Sequence, residues 1–385
     1  MFANLGVNVL LTKGFEIEVY TGTPEGEVVG FSDRIVADLD GFVREPDSRN
    51  VEYTTAPYLR YEQLLLALVE PRVRLRGYLK QLGDYTLLPG STLSLGGSDR
   101  FFRSDPQNPY HSYIEQTYGT KVVTASVHIN LGISEPEQLL RACRLIRLEA
   151  PLYLALSAAS PFLDGKTTGS HSTRWQMFPK TPSHVPLFLS HQHYIDWTNQ
   201  QLTLGTMQNV RHLWSAVRPN GDRRPYSLNR LELRICDLVY DPIALLAITA
   251  LLELRLLDLL ASDFDPTAPG TSVFSPAELV EITDQNELLA ARHSLEAQLT
   301  HWQTGDRVLA KDWVAEQLER FKPQAKYSGA LCFLLPLQQI LDQGNEAQKW
   351  LRACNDHNSP SSVFTGAIAS TTAQEYQLAT DLGLC

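Results

Sequence analysis

A short segment near the start of the chain combines strand-forming residues with two acidic ones, Gly14-Phe15-Glu16-Ile17-Glu18-Val19-Tyr20. Phe, Ile, Val and Tyr favour β-strands, and alternate residues of a strand point to opposite faces. We therefore predict that Glu16 and Glu18 lie side by side, with Phe15, Ile17 and Val19 on the other face. Adjacent carboxylates repel each other unless a cation such as Mg²⁺ lies between them. A solvated strand face can carry two glutamates without any ion, so the interpretation depends on whether other strands repeat the pattern.

Three later segments repeat the alternation. Ser126-Val127-His128-Ile129-Asn130 places Ser126, His128 and Asn130 on one face. Leu231-Glu232-Leu233-Arg234-Ile235 does the same for Glu232 and Arg234, and Asn50-Val51-Glu52-Tyr53 adds Glu52. If the apolar faces of these strands pack against helices, their polar faces line a common groove.

The predicted groove holds four carboxylates, one imidazole and at least one guanidinium. Like charges at close range raise one another's pKa, and two or more divalent ions, Mg²⁺ or alternatively Mn²⁺, would relieve this repulsion. Such ions also bind polyphosphates, and Arg234 could then reach a transferring phosphoryl group. Each piece alone has a simpler explanation: His128 as a structural histidine, and Glu232 with Arg234 as a surface ion pair of little energetic value.

Predicted elements divide the chain into a strand-rich part and a helical part. Strands are predicted within residues 14–20, 50–55, 121–133, 211–219 and 231–236, with helices at 61–82, 135–148 and 184–198. From residue 241 the apolar spacing is helical, in segments 241–262, 276–301, 307–320 and 330–352, whereas residues 355–385 are polar and poorly patterned. This segregation favours an α+β fold with a largely antiparallel sheet. We divide it into a catalytic core, residues 1–262, and a helical part, residues 263–385, packed on the core as one continuous domain.

Charge and composition exclude several classes of function. The chain has 385 residues and a formal net charge of −10, whereas proteins that bind nucleic acid or anionic membranes generically carry a basic excess. The most apolar stretch, residues 243–260, contains Glu253, Arg255 and Asp258 and so predicts a buried helix instead of a membrane span. No GxGxxG or GxxxxGK[ST] motif is present, so neither a Rossmann nor a P-loop nucleotide site is indicated.

The cysteines indicate the compartment. There are five of them, with no CxxC pair: Cys143, Cys236, Cys332, Cys354 and Cys385. Their spacing argues against a structural zinc site. An odd number in a large chain, together with a first segment that lacks the pattern of a signal peptide, favours a reducing cytoplasm.

Six segments in order carry a resemblance to a known family: GFEIEVY (14–20), REPDSRNVEYTTAP (44–57), SVHINLGI (126–133), SPFLDGKTTGSHSTRWQMFP (160–179), WSAVRPNG (214–221) and LELRICD (231–237). The chain resembles the carboxylate–amine ligase family of bacterial and plant-type glutamate–cysteine ligases, most closely its cyanobacterial branch. The resemblance implies a glutamine-synthetase-like fold. A curved antiparallel sheet with flanking helices then forms the floor of a funnel, where Mg²⁺ ions hold ATP.

The resemblance also implies roles for individual residues. The implied metal ligands are Glu16, Glu18, Glu52, His128 and Glu232. Arg234 would contact the phosphates of ATP and stabilise the transferred phosphoryl group, with Lys166 as a further nucleotide contact. The implied substrate-binding residues are Arg174, Arg218, Asn130 and Arg49, because a guanidinium group suits bidentate capture of a carboxylate.

The implied reaction joins the γ-carboxylate of glutamate to the α-amine of cysteine through γ-glutamyl phosphate, the first step of glutathione synthesis, in a monomer or homodimer. Many relatives have HxH where this chain has His128-Ile129-Asn130, so the acceptor amine stays open. The alternatives are a related ligase with another acceptor and a non-catalytic nucleotide- or metal-binding relative. The presence of all the metal and phosphate groups disfavours the last.

Overall fold

A computed structural model of the chain describes residues 10–356 and 358–384. The predictions that involve residues 1–9 and Cys385 lie outside the described residues. The strands are β1 (Lys13–Gly22), β2 (Phe42–Arg44), β3 (Asn50–Thr54), β4 (Thr86–Leu88), β5 (Val127–Gly132), β6 (Phe162–Leu163), β7 (Lys166–Thr167), β8 (Val217–Asn220), β9 (Arg230–Leu233), β10 (Gln298–Thr300) and β11 (Arg307–Leu309).

Helices surround these strands and make up most of the chain after residue 241. They are α1 (Ser32–Asp38), α2 (Tyr61–Leu82), α3 (Pro109–Tyr118), α4 (Pro136–Ser157), α5 (Thr173–Met177), α6 (His191–Leu204), α7 (Pro242–Leu260), α8 (Pro276–His293), α9 (Ala310–Ser328), α10 (Leu331–Leu334), α11 (Leu337–Gln343), α12 (Glu346–Asn355) and α13 (Pro360–Asp381). Short 3₁₀ turns occupy Gly119–Val122, Val210–His212 and Ser294–Glu296. Among the described helices, none is both long enough and apolar enough to cross a bilayer.

The central sheet of the described residues has seven strands, ordered β2-β3-β1-β5-β9-β8, with β4 paired to the last residues of β1. Every pairing in it is antiparallel. The predicted α+β class with an antiparallel sheet is therefore confirmed. The division at residue 262 stays a prediction.

Alternation along the strands separates an apolar face from a polar one, as predicted. Phe15, Ile17 and Val19 of β1 are buried, as are Val127 and Ile129 of β5 and Leu231 and Leu233 of β9. On this side α4 packs against β8 and β9, and α7 packs against α4. Because a helix covers the apolar face, the other face of the central strands is left for polar residues.

Several predicted helices differ from the observed ones at their ends, and the segment 330–352, predicted as helical throughout, is divided among α10, α11 and α12. Helix α4 continues through Pro151 to Ser157, beyond the predicted end near residue 148. A proline inside a helix removes one backbone hydrogen bond, but α4 is buried along nearly its whole length, and tertiary packing maintains it. Helix α8 ends at His293 and not near residue 301, because Ser294 has a φ of 45° and β10 follows.

The prediction that residues 355–385 lack a regular pattern is wrong, because Pro360–Asp381 form helix α13. Ser359 caps this helix by accepting a hydrogen bond from the backbone N–H of Ser362. Its buried face contains only two large apolar residues, Phe364 and Ile368, together with Glu375. Such a face produces little apolar periodicity, and the sequence pattern therefore missed it.

Glu375 fastens α13 to α2 through buried ion pairs. Its carboxylate lies 2.9 Å from Arg76 Nε and 3.7 Å from an Arg72 guanidinium nitrogen. Arg72 is 0% exposed and Glu375 is 4% exposed. Each arginine therefore depends on this carboxylate, because an unpaired buried charge is costly.

Replacing Glu375 with alanine should lower the free energy of unfolding by about 3 kcal/mol, because the buried Arg72 and the partly buried Arg76 lose their counter-charge. The urea midpoint of the far-UV circular dichroism signal measures the change. Glu62→Ala is the matched control, since the Arg60–Glu62 pair is largely exposed at 72% and 61% and such pairs contribute at most about 1 kcal/mol. Equal midpoints for the two variants would contradict the anchoring role of Glu375.

Candidate active site

The functional side chains face one another because of strand register. Glu18 of β1 lies opposite Glu52 of β3, and Glu16 lies opposite His128 of β5. Asn130 of β5 lies opposite Glu232 of β9, which in turn lies opposite Arg218 of β8. Directly opposite residues in antiparallel strands share a face. The structure thus brings together all five residues predicted to ligate metal.

One cluster, the His128 triad, consists of Glu16, His128 and Glu232. His128 Nδ1 and Glu16 Oε2 share a hydrogen bond at 2.8 Å, and the same nitrogen lies 3.7 Å from Glu232 Oε1. One potential ligand atom from each residue lies within 4.8 Å of the others. Two carboxylates with one imidazole form a donor set suited to Mg²⁺ or Mn²⁺.

Two arginines partly neutralise the His128 triad. Arg218 grips the fully buried Glu232 with Nε at 2.7 Å and a terminal nitrogen at 3.0 Å. Arg234 donates to Glu232 Oε1 and lies 3.3 Å from His128 Nδ1. Although burial acts to raise it, the pKa of Glu232 is held well below its usual range by the charges of Arg218 and Arg234.

The second cluster, the Glu52 triad, consists of Glu18, Glu45 and Glu52, again with ligand atoms within 4.8 Å of one another. Ser126 Oγ donates to Glu18 Oε2 at 2.7 Å. Among the described residues, no lysine or arginine forms an ion pair with these three glutamates. Burial and the charges of Glu16 and Glu18 raise the pKa of Glu52 to about 8, and burial with Glu18 and Glu52 raises that of Glu45. Full ionisation of this triad at neutral pH therefore requires an external cation.

Sequence reasoning missed Glu45. It follows β2 directly, and β2 pairs with β3 so that Val43 lies opposite Glu52. Because residues two apart share a face, Glu45 continues the polar side of that hairpin. The signal was present in Arg44-Glu45-Pro46-Asp47, but the short strand before it shows no alternation of its own.

A cleft of about 570 Å³ opens where β1 and β9 begin and where β3 and β5 end. Its lining includes Glu16, Asn130, Thr55, Asp222 and Arg230. The volume is in the range of small-molecule sites. Because Glu16 belongs to both the cleft and the His128 triad, this triad borders the cleft, and the Glu52 triad lies further along the strands.

Aromatic rings, here called the aromatic wall, cluster around the segment that leads into β8: Tyr110, Tyr118, His212 and Trp214. The His212 ring lies 4.7 Å from Trp214 and 5.6 Å from Tyr110 between centroids, and Tyr118 lies 5.0 Å from Trp214. Ala216, two residues after Trp214, accepts the backbone hydrogen bond of Arg234 at 2.8 Å. Tyr118 also lines a second cleft, of about 510 Å³.

The predicted substrate-binding arginines all have internal partners. Arg49 donates to Asp47 through Nε and a terminal nitrogen, both at 2.8 Å, and to the carbonyls of Gly97 and Arg100. Beyond Glu232, Arg218 donates to the carbonyls of Arg211 and Leu213. The guanidinium groups of Arg49 and Arg218 therefore bind carboxylate and carbonyl groups of the protein itself.

The other predicted contacts lie in different surroundings. Arg174 is 2% exposed and donates to the carbonyls of Arg234 and Ile235. Asn130 donates to Glu16 Oε1 at 3.3 Å on the floor of the cleft. Lys166 is exposed in the β6–β7 hairpin. The substrate roles of Arg49, Arg174, Arg218, Asn130 and Lys166 stay predictions.

The sequence profile of glutamate-cysteine ligase family 2 (GCS2) matches residues 12–373. The chain belongs to this family. The predicted family resemblance is thus confirmed. The match extends from β1 into α13 and so includes the sheet and both triads.

Individual relatives agree with this assignment. The chain is 27% identical over 289 residues to a protein of Rubrobacter xylanophilus provisionally named glutamate–cysteine ligase 2-3, covering 72% of each. A provisionally named glutamate–cysteine ligase 2 of Sorangium cellulosum is 28% identical over 230 residues, 58% of each chain.

Two solved structures share the fold. Glutamate–cysteine ligase from Francisella tularensis, solved with AMP, matches with a TM-score of 0.74 at 13% identity, over 95% of this chain and 89% of that one. A bifunctional glutathione synthetase from Pasteurella multocida matches with a TM-score of 0.72 at 15% identity, again over 95% of this chain. This chain spans only 53% of the bifunctional protein. These matches confirm the predicted glutamine-synthetase-like fold.

Binding of Mg²⁺ should strengthen as pH rises from 6 to 8. The raised pKa of Glu52, about 8 against an ordinary 4.5, means that the metal-free fold holds a proton that an ion must displace. Each displaced proton makes the apparent affinity rise by about two orders of magnitude over these two pH units. Isothermal titration calorimetry in two buffers of different ionisation enthalpy measures the affinity and the proton release.

The same pKa shift predicts the stability of the metal-free protein. The folded state binds the Glu52 proton more tightly than the unfolded state, so this residue's contribution to stability falls as pH rises from about 4.5 to about 8. Mg²⁺ should therefore raise the melting temperature more at pH 8.5 than at pH 6. An affinity and a melting shift that do not depend on pH would contradict the assignment of Glu52 as a ligand.

Proposed function

We propose that this protein is an ATP-dependent glutamate–cysteine ligase that forms γ-glutamylcysteine, the first step of glutathione synthesis. The observation that carries the proposal is the pair of acidic triads on one face of the sheet, with Arg234 beside them and a cleft at one end. Membership of glutamate-cysteine ligase family 2 supports the same reading.

The two triads fit divalent ions, and we propose Mg²⁺ at both. Glu16, His128 and Glu232 would hold one ion, and Glu18, Glu45 and Glu52 another. Bound there, Mg²⁺ would neutralise and orient the phosphate oxygens of ATP. The protein's part is to keep the ligands ionised and fixed. Arg218 does this for Glu232, and Ser126 orients Glu18 by a hydrogen bond.

The cleft beside the His128 triad is the proposed nucleotide site. Asn130 and Arg230 both line it, and Arg230 Nε donates to Asn130 Oδ1 at 3.3 Å. ATP placed here directs its phosphates toward Glu16 and then toward Arg234, further along the groove. Arg234 can neutralise charge on the transferring phosphoryl group, as arginines do in other phosphoryl-transfer enzymes.

The proposed reaction has two displacements. An oxygen of the glutamate γ-carboxylate attacks the γ-phosphorus of ATP, and ADP leaves. The cysteine amine nitrogen then attacks the carbonyl carbon of γ-glutamyl phosphate, and inorganic phosphate leaves while the amine loses a proton. The aromatic wall at the Arg234 end can receive cysteine, because sulfur packs favourably against aromatic rings.

A ligase with another acceptor is the alternative. It is favoured by the internal partners of Arg49, Arg174 and Arg218, since these arginines were the ones predicted to hold a substrate carboxylate. An acceptor without a carboxylate group would not need them.

Incubation with ATP, Mg²⁺ and glutamate, with and without cysteine, tests the proposal. We expect phosphate release to require both amino acids, and mass spectrometry to detect their condensation product. Release that depends on a different amine, with none for cysteine, would establish the alternative. If ATP is not turned over with any amine tested, the catalytic proposal fails.

Glu45→Gln and Glu18→Gln should weaken Mg²⁺ binding and turnover at least about tenfold, a loss that even supporting residues around metal sites produce. A neutral amide is a poorer ligand for Mg²⁺ than a carboxylate. The control is Glu115→Gln, because Glu115 pairs with Arg103 and belongs to neither triad. Calorimetric titration with Mg²⁺ and the phosphate-release assay give the two readouts. Wild-type values for Glu45→Gln would remove Glu45 from the proposed site.

A further inference from the structure

Arg234 lies at a β-bulge just beyond the regular pairing of β9. The backbone N–H groups of Arg234 and Ile235 both donate to the carbonyl of Ala216, at 2.8 Å and 3.2 Å. Two consecutive residues thus oppose a single residue of the neighbouring segment, the one that leads into β8. This arrangement defines a β-bulge.

The pairing of β9 with β5, on its other side, also shows one extra residue in the chain after β9. Asn130 lies opposite Glu232, and Ser126 lies opposite Asp237. The interval is four residue steps along β5 (130 to 126) and five along β9 (232 to 237). A bulge bends its strand and changes the direction of a side chain, and bulges are frequent beside active sites.

Arg174 binds the backbone carbonyls of both bulge residues. Its two terminal nitrogens donate to the carbonyls of Arg234 at 3.0 Å and Ile235 at 3.1 Å. These are the carbonyls of the two residues whose N–H groups share Ala216. At 2% exposure, Arg174 is shielded from water, so without its side chain both carbonyls would lack this partner.

A buried aspartate fixes Arg174 in turn. Asp237 Oδ1 lies 3.8 Å from the Arg174 guanidinium and accepts from Ser172 Oγ at 2.8 Å. Asp237 Oδ2 accepts from Ser160 Oγ at 2.7 Å and from the Ala159 N–H at 2.9 Å. Asp237 therefore joins the end of α4, the start of α5 and the chain after β9 at one point.

We propose that Arg174 is a positioning residue that holds the bulge and thereby aims Arg234 at the transferring phosphoryl group. This inference rests on the proposed function, in which Arg234 meets the phosphates. It replaces the substrate-carboxylate role that the family resemblance implied for Arg174. The rival is direct substrate contact through Arg174 Nε, which has no hydrogen-bond partner among the described residues.

A double-mutant cycle of Arg174→Lys and Arg234→Gln separates the two roles. One lysine ammonium cannot reproduce the paired geometry of a guanidinium across two carbonyls. We expect Arg174→Lys to lower kcat on the order of 10²-fold, because a displacement of about 1 Å at a reacting centre has this effect. The KM for glutamate and for the acceptor should stay near the wild-type values.

If Arg174 acts only through Arg234, Arg174→Lys should cause no further loss in the Arg234→Gln background, since effects of coupled residues do not add. Additive losses, or a rise in the KM of one amino acid with kcat unchanged, would overturn the proposal in favour of direct binding.

Arg144→Lys is the matched control. Arg144 is a buried arginine that donates to a backbone carbonyl, that of Phe188 at 2.7 Å, and pairs with Asp265, far in sequence from β9. It should leave kcat at the wild-type value. If Arg174→Lys does not fold, Asp237→Asn takes its place in the same cycle, because it keeps Arg174 but removes the charge that orients it.

Amide hydrogen exchange gives a readout that is independent of activity. Peptides covering residues 231–238 should exchange faster in Arg174→Lys than in the wild-type protein or in Arg144→Lys, because the bulge amides lose their fixed geometry. Unchanged exchange would overturn the positioning role even if the ligase activity is established. A wild-type protein without ligase activity but with faster exchange in the variant would contradict only the proposed function.

Discussion

The buried pairing of Glu232 with Arg218 and Arg234 is the interaction on which the site depends. Six acidic or imidazole side chains lie on one face of a sheet, and without cations they would repel one another. The two arginines supply internal positive charge to the His128 triad and keep Glu232 ionised although it is fully buried. Among the described residues no arginine pairs with the Glu52 triad, and burial together with the neighbouring carboxylates raises the pKa of Glu52 and of Glu45. The chain itself thus partly compensates the charge of the His128 triad, whereas full ionisation of the Glu52 triad requires a bound cation.

Alternation made the central part of the site predictable from sequence. A residue spacing of two fixed the shared face of Glu16 and Glu18, and the same spacing on three further strands identified His128, Glu52 and Glu232. A single sequence does not show the register between strands, so the pairing of Arg218 with Glu232 could not be predicted. The same limit leaves the roles of the arginines open, because a guanidinium binds a backbone carbonyl as readily as a substrate carboxylate and a single sequence does not show which partner it meets. Glu45 was missed because its strand is too short to display alternation.

The fold was predictable where apolar residues recur at regular intervals, as in β1 and α2. It was less predictable where burial is achieved by other means. Helix α13 buries a carboxylate between two arginines instead of a row of leucines, and α4 passes through a proline because neighbours cover it on all sides. In both cases the deciding partners are far away in sequence, α2 for α13 and the sheet for α4. Local propensity is only a weak guide to such segments.

The link between Glu375 and α2 has a consequence for the order of events during synthesis. Arg72 and Arg76 leave the ribosome about three hundred residues before their partner, since Glu375 is 303 and 299 positions further along. Until Glu375 has been made, α2 carries two cations that cannot be buried without loss. The charge balance of α2, which packs against β4, therefore depends on a segment that is made near the end of synthesis.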